Sequence, residues 1–342
     1  MNNLTVIVTA CGAPGGVPII KLLREVDERK IRIVGVDMRE TASGFLLADE
    51  SYIVPHGGSE EYVNAMVDIA DETGADVVLP LSSHELLALA NNMNKFSAKI
   101  VVNDADALRV ALNKRKTYEY LSRKTRLDVP RFGVACNFEA FKETAKWVGY
   151  PDNPTCFKPS VASGQRGFVV LDENSHGDSV LKSKPRQYMS RASLETAHMM
   201  LGETFPEIVV MEYLAGDEYS VDSLVKDGET LVAVPRRRVE INAGITRVGV
   251  VEQNEEVMEY ARAVNSAFGF NYNINVQLKY DSEECPKLLE INPRVSGTIC
   301  LSSKAGPNLP YLAIKQALGE SFTVPSIKWG LRMVRCWNEM YY

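Results

Sequence analysis

An N-terminal α/β unit followed by a larger α+β part built on antiparallel strands is the fold class that the 342 residues predict, on three observations. First, Leu4 to Ala10 (LTVIVTA) is a β-branched apolar run that ends in the glycine-rich turn CGAPGG. Helical spacing from Val17 to Glu25 and a second apolar run, IRIVGVD, follow it and complete a β-loop-α-β unit. Second, from Val129 onward the pattern changes to short strands separated by long polar insertions. Third, Tyr272 to Tyr280 (YNINVQLKY) and KLLEIN are joined by the turn DSEECPK, which predicts an antiparallel hairpin with Gln277 and Glu290 as neighbours. Single cores rarely grow beyond roughly 250 to 300 residues, so two or three domains are expected, with boundaries at 1–110, 111–209 and 210–342.

Composition narrows the function. Apolar content of 45% and charged content of 24% are those of an ordinary globular protein. A formal net charge of -6 gives no general attraction to nucleic acid or to an anionic membrane. No apolar run approaches the roughly 20 residues that span a bilayer, and the N-terminus enters a strand without a signal-peptide pattern. The expectation is a cytoplasmic protein with small-molecule partners. Six scattered cysteines, without a CxxC pair or metal-ligand spacing, are expected to be reduced, with Cys11 a packing residue rather than a nucleophile.

In the first unit, Gly12, Gly15 and Gly16 permit close backbone approach at a helix N-terminus, but their spacing is not the dinucleotide fingerprint. A strand is expected at Tyr52 to Pro55, a helix around Glu60 to Glu72 and a strand at Val77 to Leu81. Ser82 to Glu85 then stand at the strand's C-terminal end, where open α/β sheets place ligands. Two helices start beyond it, capped by Asp104 and Asn113, and Lys114 lies at the second start.

Thr155 to Ser160 (TCFKPS) is a strand with Lys158 in its middle, which is costly unless the charge is used or reaches water. Ser163 to Gly167 (SGQRG) and the strand FVVL follow, a hairpin whose loop can fold over a polyphosphate, although it is not a Walker loop. Ser175 to Glu207 reads as a polar lid with a helix from Ala192 to Leu201. Ile208 to Leu214 (IVVMEYL) is a buried strand, and Glu218 opens the next one after a turn. Arg236, Arg237 and Arg238 are consecutive in a strand, so at most two share a face. An amphipathic helix is expected from Glu255 to Phe268.

The densest chemistry is in Leu288 to Thr298 (LLEINPRVSGT). Glu290 and Asn292 share a strand face, and a carboxylate beside an amide oxygen suits Mg2+, a hard cation commonly completed by phosphates. Pro293 ends the regular ladder, and Arg294 offers a planar fork of donors to a phosphate or acyl phosphate.

Taken in order, FKPSVASGQRG, MEYLAGDEYSVD, NVQLKYD and LLEINPRVSGT resemble the ATP-grasp superfamily, in particular single-module proteins related to the carbamoyl-phosphate synthase large chain. The resemblance covers nearly the whole chain. It implies a Rossmann-like pre-ATP-grasp domain followed by a two-lobed ATP-grasp fold, with ATP and Mg2+, or Mn2+ in its place, as cofactors. It places Lys114 and Lys158 on the phosphates, Ser163, Gly164 and Gly167 in the phosphate loop, and Glu212, Tyr213 and Leu214 at the adenine hinge. Glu218 falls on the ribose, Glu290 and Asn292 on the metal with Gln277 as a third ligand, and Arg294 on the transferring phosphoryl group, so that Arg294 and Lys158 are the catalytic pair. The implied reaction joins a carboxylate to an amine through an acyl phosphate. The alternatives are phosphorylation of bicarbonate or carbamate with a partner chain, or an ATP-binding regulator without turnover. The relatives also imply a homodimer.

Overall fold

The structure is a computed structural model and describes residues 3–161, 167–173, 190–242, 244–336 and 338–341. The lid expected from Ser175 therefore lies outside the described residues as far as residue 189. Among the described residues the strands form three sheets, and no helix is long and apolar enough to cross a membrane.

In the first sheet, β1 (Leu4–Val8), β2 (Ile31–Asp37), β3 (Glu50–Ile53), β4 (Val77–Leu79) and β5 (Lys99–Ile100) pair in parallel in the order β3-β2-β1-β4-β5. Both faces are covered, which is why these strands read as continuous apolar runs. Val6, Val8, Ile33 and Leu79 pack with α1 (Gly16–Arg24) on one side. Ile7, Val34, Val36 and Val78 pack with α2 (Tyr62–Thr73) and α3 (Leu86–Asn91) on the other.

The two helix starts lie where the sequence puts them. Asp104 caps α4 (Ala105–Ala111) by accepting from the amides of Asp106 and Ala107, and Asn113 caps α5 (Lys114–Lys124) by accepting from the Lys116 amide.

The second sheet contains β6 (Phe132–Asn137), β7 (Thr155–Pro159), β8 (Val169–Leu171), β9 (Ser190–Ala192) and β10 (Thr204–Glu212) in the order β6-β10-β7-β8-β9, with α6 (Phe138–Val148) and α7 (Leu194–Leu201) beside it. The expected β7–β8 hairpin is present, with Thr155 opposite Leu171. The helix expected from Ala192 begins two residues later, because Ala192 pairs with Leu171 and the Ser193 hydroxyl accepts from the Thr196 amide.

The third sheet is antiparallel. β11 (Glu218–Lys226), β12 (Glu229–Asn242), β13 (Ile245–Val251), β14 (Tyr272–Tyr280), β15 (Pro286–Asn292) and β16 (Arg332–Val334) follow the order β15-β14-β11-β12-β13-β16, and α8 (Glu255–Phe268) covers one face. The helices α9 (Ile299–Lys304) and α10 (Leu309–Ala317) fill the space between this sheet and the first. Ile299, Leu301, Leu312 and Ile314 belong to the same apolar cluster as Val6, Val8, Ile19 and Val234, so the N-terminal sheet and the C-terminal sheet share one core. Arg29, whose side chain is buried, forks onto Glu320 across the same junction, with its two nitrogens 2.9 and 2.5 Å from the carboxylate oxygens.

Candidate active site

Side chains alternate across a strand, and in the third sheet the alternation sorts residues by chemistry. Tyr219, Val221, Ile274, Val276, Leu278, Leu288 and Ile291 are buried against α8. The opposite face carries Glu218 and Ser220 of β11, Arg236 and Arg238 of β12, Asn275, Gln277 and Lys279 of β14, and Glu290 and Asn292 of β15, all lining one cleft. Register brings them together: Gln277 pairs with Glu290 and Ser220, and Asn275 pairs with Asn292 and Asp222. Lys158 and Phe168 of the second sheet, Met211 to Leu214 at the end of β10, and Ala13 to Gly15 of the first loop supply the other walls of a space of about 1430 Å3 that opens to solvent.

The charges are concentrated around Glu290. Lys114 Nζ lies 3.6 Å from its Oε2, and Asn292 Nδ2 donates to its Oε1 at 3.2 Å. Lys158 Nζ donates to the Leu289 carbonyl at 3.4 Å. Both lysines are only 7% exposed. Burial, reinforced by the neighbouring Lys114, pushes the Lys158 ammonium down to about 8. Burial pushes the Glu290 carboxyl up, but Lys114, Lys158, Asn292 and Arg238 together outweigh it and hold it below the ordinary carboxylate value. Arg238 pairs with Glu218 and donates to Gln277 Oε1 at 3.3 Å. Lys114, Lys158, Arg238 and Arg294 thus converge on the carboxylates of Glu218 and Glu290 and leave the cleft cationic, which suits a polyanion.

Arg294 is held at three points. Its Nε donates to Ser83 Oγ at 3.0 Å, Nη1 to the Val295 carbonyl at 2.8 Å and Nη2 to Asn292 Oδ1 at 3.4 Å. Ser83 belongs to the first-domain turn that the sequence places at a ligand site. Behind it the buried Glu85 accepts from Thr9 Oγ1 at 2.6 Å and from the Ser82 amide at 2.8 Å. His84 stands aside, its ring centroid 5.2 Å from that of His56. Asp37 stitches the glycine-rich loop closed by accepting from the Gly12 amide at 2.8 Å. The Cys11 thiol is fully buried, and burial pushes its pKa up to about 12, so it packs.

The other sequence-selected residues fall as follows. Lys158, Glu212, Tyr213, Leu214, Glu218, Gln277, Glu290, Asn292 and Arg294 line the one cleft, with Lys114 against Glu290. Gly167 sits at the foot of the β7–β8 hairpin with a positive φ of 69°, close to the Pro159 ring. Ser163 and Gly164 lie outside the described residues. The Glu212 carboxylate is taken by Lys287 Nζ at 2.8 Å and the Arg131 amide at 2.7 Å, so what this residue offers the cleft is its backbone. Tyr213 offers a ring face already covered by Lys279 Nζ, 4.9 Å from its centroid.

Oxygen donors suitable for a cation are the Glu290 carboxylate and the amide oxygens of Asn292 and Gln277. Among the described residues no three His, Cys, Asp or Glu side chains converge as a metal cage. One carboxylate beside two amides fits a hard cation that keeps waters and binds substrate phosphates.

Sequence reasoning missed Asp222, which organises the floor. It is 1% exposed and accepts from Arg236 Nε at 2.7 Å, Asn275 Nδ2 at 2.7 Å, Ser296 Oγ at 2.8 Å and Ser302 Oγ at 2.6 Å. Its phase was the available signal, since Glu218, Ser220 and Asp222 share a strand face. Of the three arginines, Arg236 and Arg238 turn into the cleft, while Arg237 pairs with Glu252 at 2.9 Å.

Two family models match the chain: "ATP-grasp in the biosynthetic pathway with Ter operon" over residues 204–337, and the "PylC-like, N-terminal domain" over residues 6–103. Residues 204–337 carry an ATP-grasp family domain. The chain is homologous to the carbamoyl phosphate synthase large chain of Corynebacterium glutamicum, 25% identical over 299 residues that make up 84% of this chain. It spans about a quarter of the length of the curated relatives it matches, 25% of that protein. Among solved structures, the ADP complex of PurK, an N5-carboxyaminoimidazole ribonucleotide synthetase, superposes with a TM-score of 0.70 at 16% identity, covering 97% of this chain and 81% of that one. The biotin carboxylase domain of Hydrogenobacter thermophilus 2-oxoglutarate carboxylase, in complex with MgADP, ADP and bicarbonate, gives 0.68 at 17% identity over 95% of this chain and 72% of that one. Both share the ATP-grasp fold.

Within the ATP-grasp domain the buried Asp222 neutralises Arg236 beneath the cleft. Asp222→Ala leaves that guanidinium uncompensated in the core and should cost about 3–5 kcal/mol, read as a lowered denaturation midpoint followed by tryptophan fluorescence. An unchanged midpoint would show that the pair does not hold the floor.

Proposed function

We propose that the chain is an ATP- and Mg2+-dependent ligase that activates a small carboxylate as an acyl phosphate and passes it to an amine, releasing ADP and phosphate. The observation that carries this reading is the cation-rich cluster around a charged, half-buried Glu290, with Asn292 beside it and Arg294 one step beyond. Bound by Glu290 and Asn292, with Gln277 alongside, Mg2+ supplies charge neutralisation to phosphate oxygens. Lys114 and Lys158 hold the phosphates, the backbone of Glu212 to Leu214 meets the adenine edge, and Glu218 takes the ribose. The resemblance assigns Ser163, Gly164 and Gly167 to the phosphates, the first two lying outside the described residues.

In the first half-reaction a carboxylate oxygen forms a bond to the γ-phosphorus as the bond to the β–γ bridging oxygen breaks, and ADP departs. In the second, the amine nitrogen bonds to the acyl carbon, phosphate leaves with the former carboxylate oxygen, and the nitrogen loses a proton to solvent. Arg294 offsets charge on the transferring group. Positioning and electrostatics supply most of the rate in such transfers, so no nucleophilic side chain is required. Phosphorylation of bicarbonate is the second reading, favoured by the homology to the carbamoyl phosphate synthase large chain.

Incubation with ATP, Mg2+ and a panel of carboxylate and amine pairs should release ADP and phosphate, and Glu290→Ala should reduce that release at least a hundredfold while the protein keeps its circular dichroism spectrum. Release of AMP in place of ADP would sink the acyl-phosphate route, and full activity in the variant would remove Glu290 from the metal site. A pH dependence follows from Lys158. With the cleft empty its ammonium titrates near 8, and a bound polyphosphate raises that value, so binding takes up a proton above pH 8. ATP affinity should therefore hold below that pH and weaken by up to about tenfold per unit above it. Lys158→Arg should flatten the profile, and a flat wild-type profile from pH 7 to 9.5 would contradict the assignment.

A further inference from the structure

Glu85 stands at the N-cap of α3, yet its side chain caps nothing in that helix. It is 2% exposed, and its carboxylate turns back into the first domain. Oε1 accepts from Thr9 Oγ1, just past β1, at 2.6 Å and from the Ser82 amide at 2.8 Å, and Oε2 accepts from the Tyr62 hydroxyl at the start of α2. Thr9 is a relay. Its hydroxyl oxygen accepts from the Leu81 amide at 3.0 Å while its proton goes to Glu85. One carboxylate therefore fixes the two consecutive amides, Leu81 and Ser82, that lead into Ser83.

That turn is packed as well as bonded. A Cβ built on Gly57 would lie 2.8 Å from Glu85 Cβ, so the 56–58 segment lies directly on the glutamate stem. Burial pushes the Glu85 carboxyl up, and Thr9, Tyr62 and the two amides pull it back. A buried acid is a costly way to fill space. What the turn holds gives the reason. Arg294 Nε donates to Ser83 Oγ at 3.0 Å, whereas the other two acceptors of that guanidinium, the Val295 carbonyl and Asn292 Oδ1, belong to its own stretch of chain. Of the three, Ser83 alone ties Arg294 to another domain.

We propose that Glu85 is a positioning residue for Arg294: through the Leu81 and Ser82 amides it sets the place of Ser83 Oγ, and Ser83 sets the direction of the guanidinium. Neither Glu85 nor Ser83 lines the cleft, so both act through Arg294. The inference rests on the ligase reading for what Arg294 does, not for how it is held.

The test is proton exchange at arginine Nε in the full chain labelled with 15N-arginine, the Arg294 signal being identified by its loss in Arg294→Lys. In Glu85→Ala the Arg294 Nε proton should exchange about tenfold or more faster than in wild type, because the bond to Ser83 opens. Arg236 Nε, held on the buried Asp222, is the internal reference. It should keep its rate, whereas a general loosening of the core would move both. Ser83→Ala should match Glu85→Ala, and the double variant should be no faster than Ser83→Ala. Glu85→Gln, which keeps an oxygen for Thr9 and Ser82, should retain most of the protection. Should Glu85→Ala not fold, Thr9→Val and Tyr62→Phe, each removing one donor, carry the same test. An unchanged Arg294 rate in folded Glu85→Ala, an unchanged rate in both single-donor variants, or equal acceleration at Arg236 would overturn the proposal. With any carboxylate and amine pair that wild type turns over, Glu85→Ala should also lower kcat about tenfold and leave KM for ATP within about twofold. If Arg294 is released as expected and no pair yields phosphate even with wild type, the ligase reading fails and the positioning role stands.

Discussion

A carboxylate kept charged inside the protein is the constraint around which this molecule is built. Glu290 is recessed from water, and its ionised form persists because Lys114 and Lys158 reach it from two other parts of the chain. Those reaches are coordinated. The Lys114 amide donates to the Ser160 carbonyl at 3.1 Å, which fastens the start of α5 to the end of the strand that carries Lys158. Tyr118, one turn along the same helix, donates to the Leu289 carbonyl at 2.8 Å, the oxygen that also receives Lys158. One helix start, one strand and one hairpin are thus tied together within a few residues of the site. Burial, with the like charge of Lys114 added to it, depresses the Lys158 ammonium, and a polyphosphate is the kind of ligand that relieves the conflict.

The rest of the fold holds this arrangement still and gives it an opening. The third sheet separates an apolar face, packed on α8, from a polar face that is almost entirely site. Polar residues on the buried floor are joined through Asp222, so few of them are left without partners. The first sheet contributes more than a neighbouring domain would. It shares a core with α9 and α10, and its two loops arrive at the cleft through Ser83 on Arg294 and through Gly15 on Gly297. Arg294 is therefore oriented from the far end of the chain.

Much of this was legible in the residues because it rests on local rules. The caps at Asp104 and Asn113 follow from side-chain chemistry next to periodic helices, and the Gln277–Glu290 pairing follows from strand phase across a short turn. The α8 span, Glu255 to Phe268, is where the apolar spacing puts it. What the residues could not express is long-range. Asp222 looks like one more acid in a strand until Arg236, Asn275, Ser296 and Ser302 are brought onto it from four other segments. Glu212 reads as one residue of a buried strand, and nothing local shows that Lys287 and the Arg131 amide occupy its carboxylate. The polar shoulder before Ile208 was read as part of the lid, yet Thr204 to Glu207 extend β10, with Thr204 and Ile208 paired to β6 around an irregular register that local pattern does not reveal.

The most direct measurement is anomalous scattering from Mn2+ in crystals grown with a non-hydrolysable ATP analogue. The account predicts manganese peaks bonded to a Glu290 carboxylate oxygen and to Asn292 Oδ1 at about 2.0–2.2 Å, with β- and γ-phosphate oxygens completing the coordination. Manganese on other residues, with Glu290 still closed against Lys114 and the phosphates elsewhere, would contradict it.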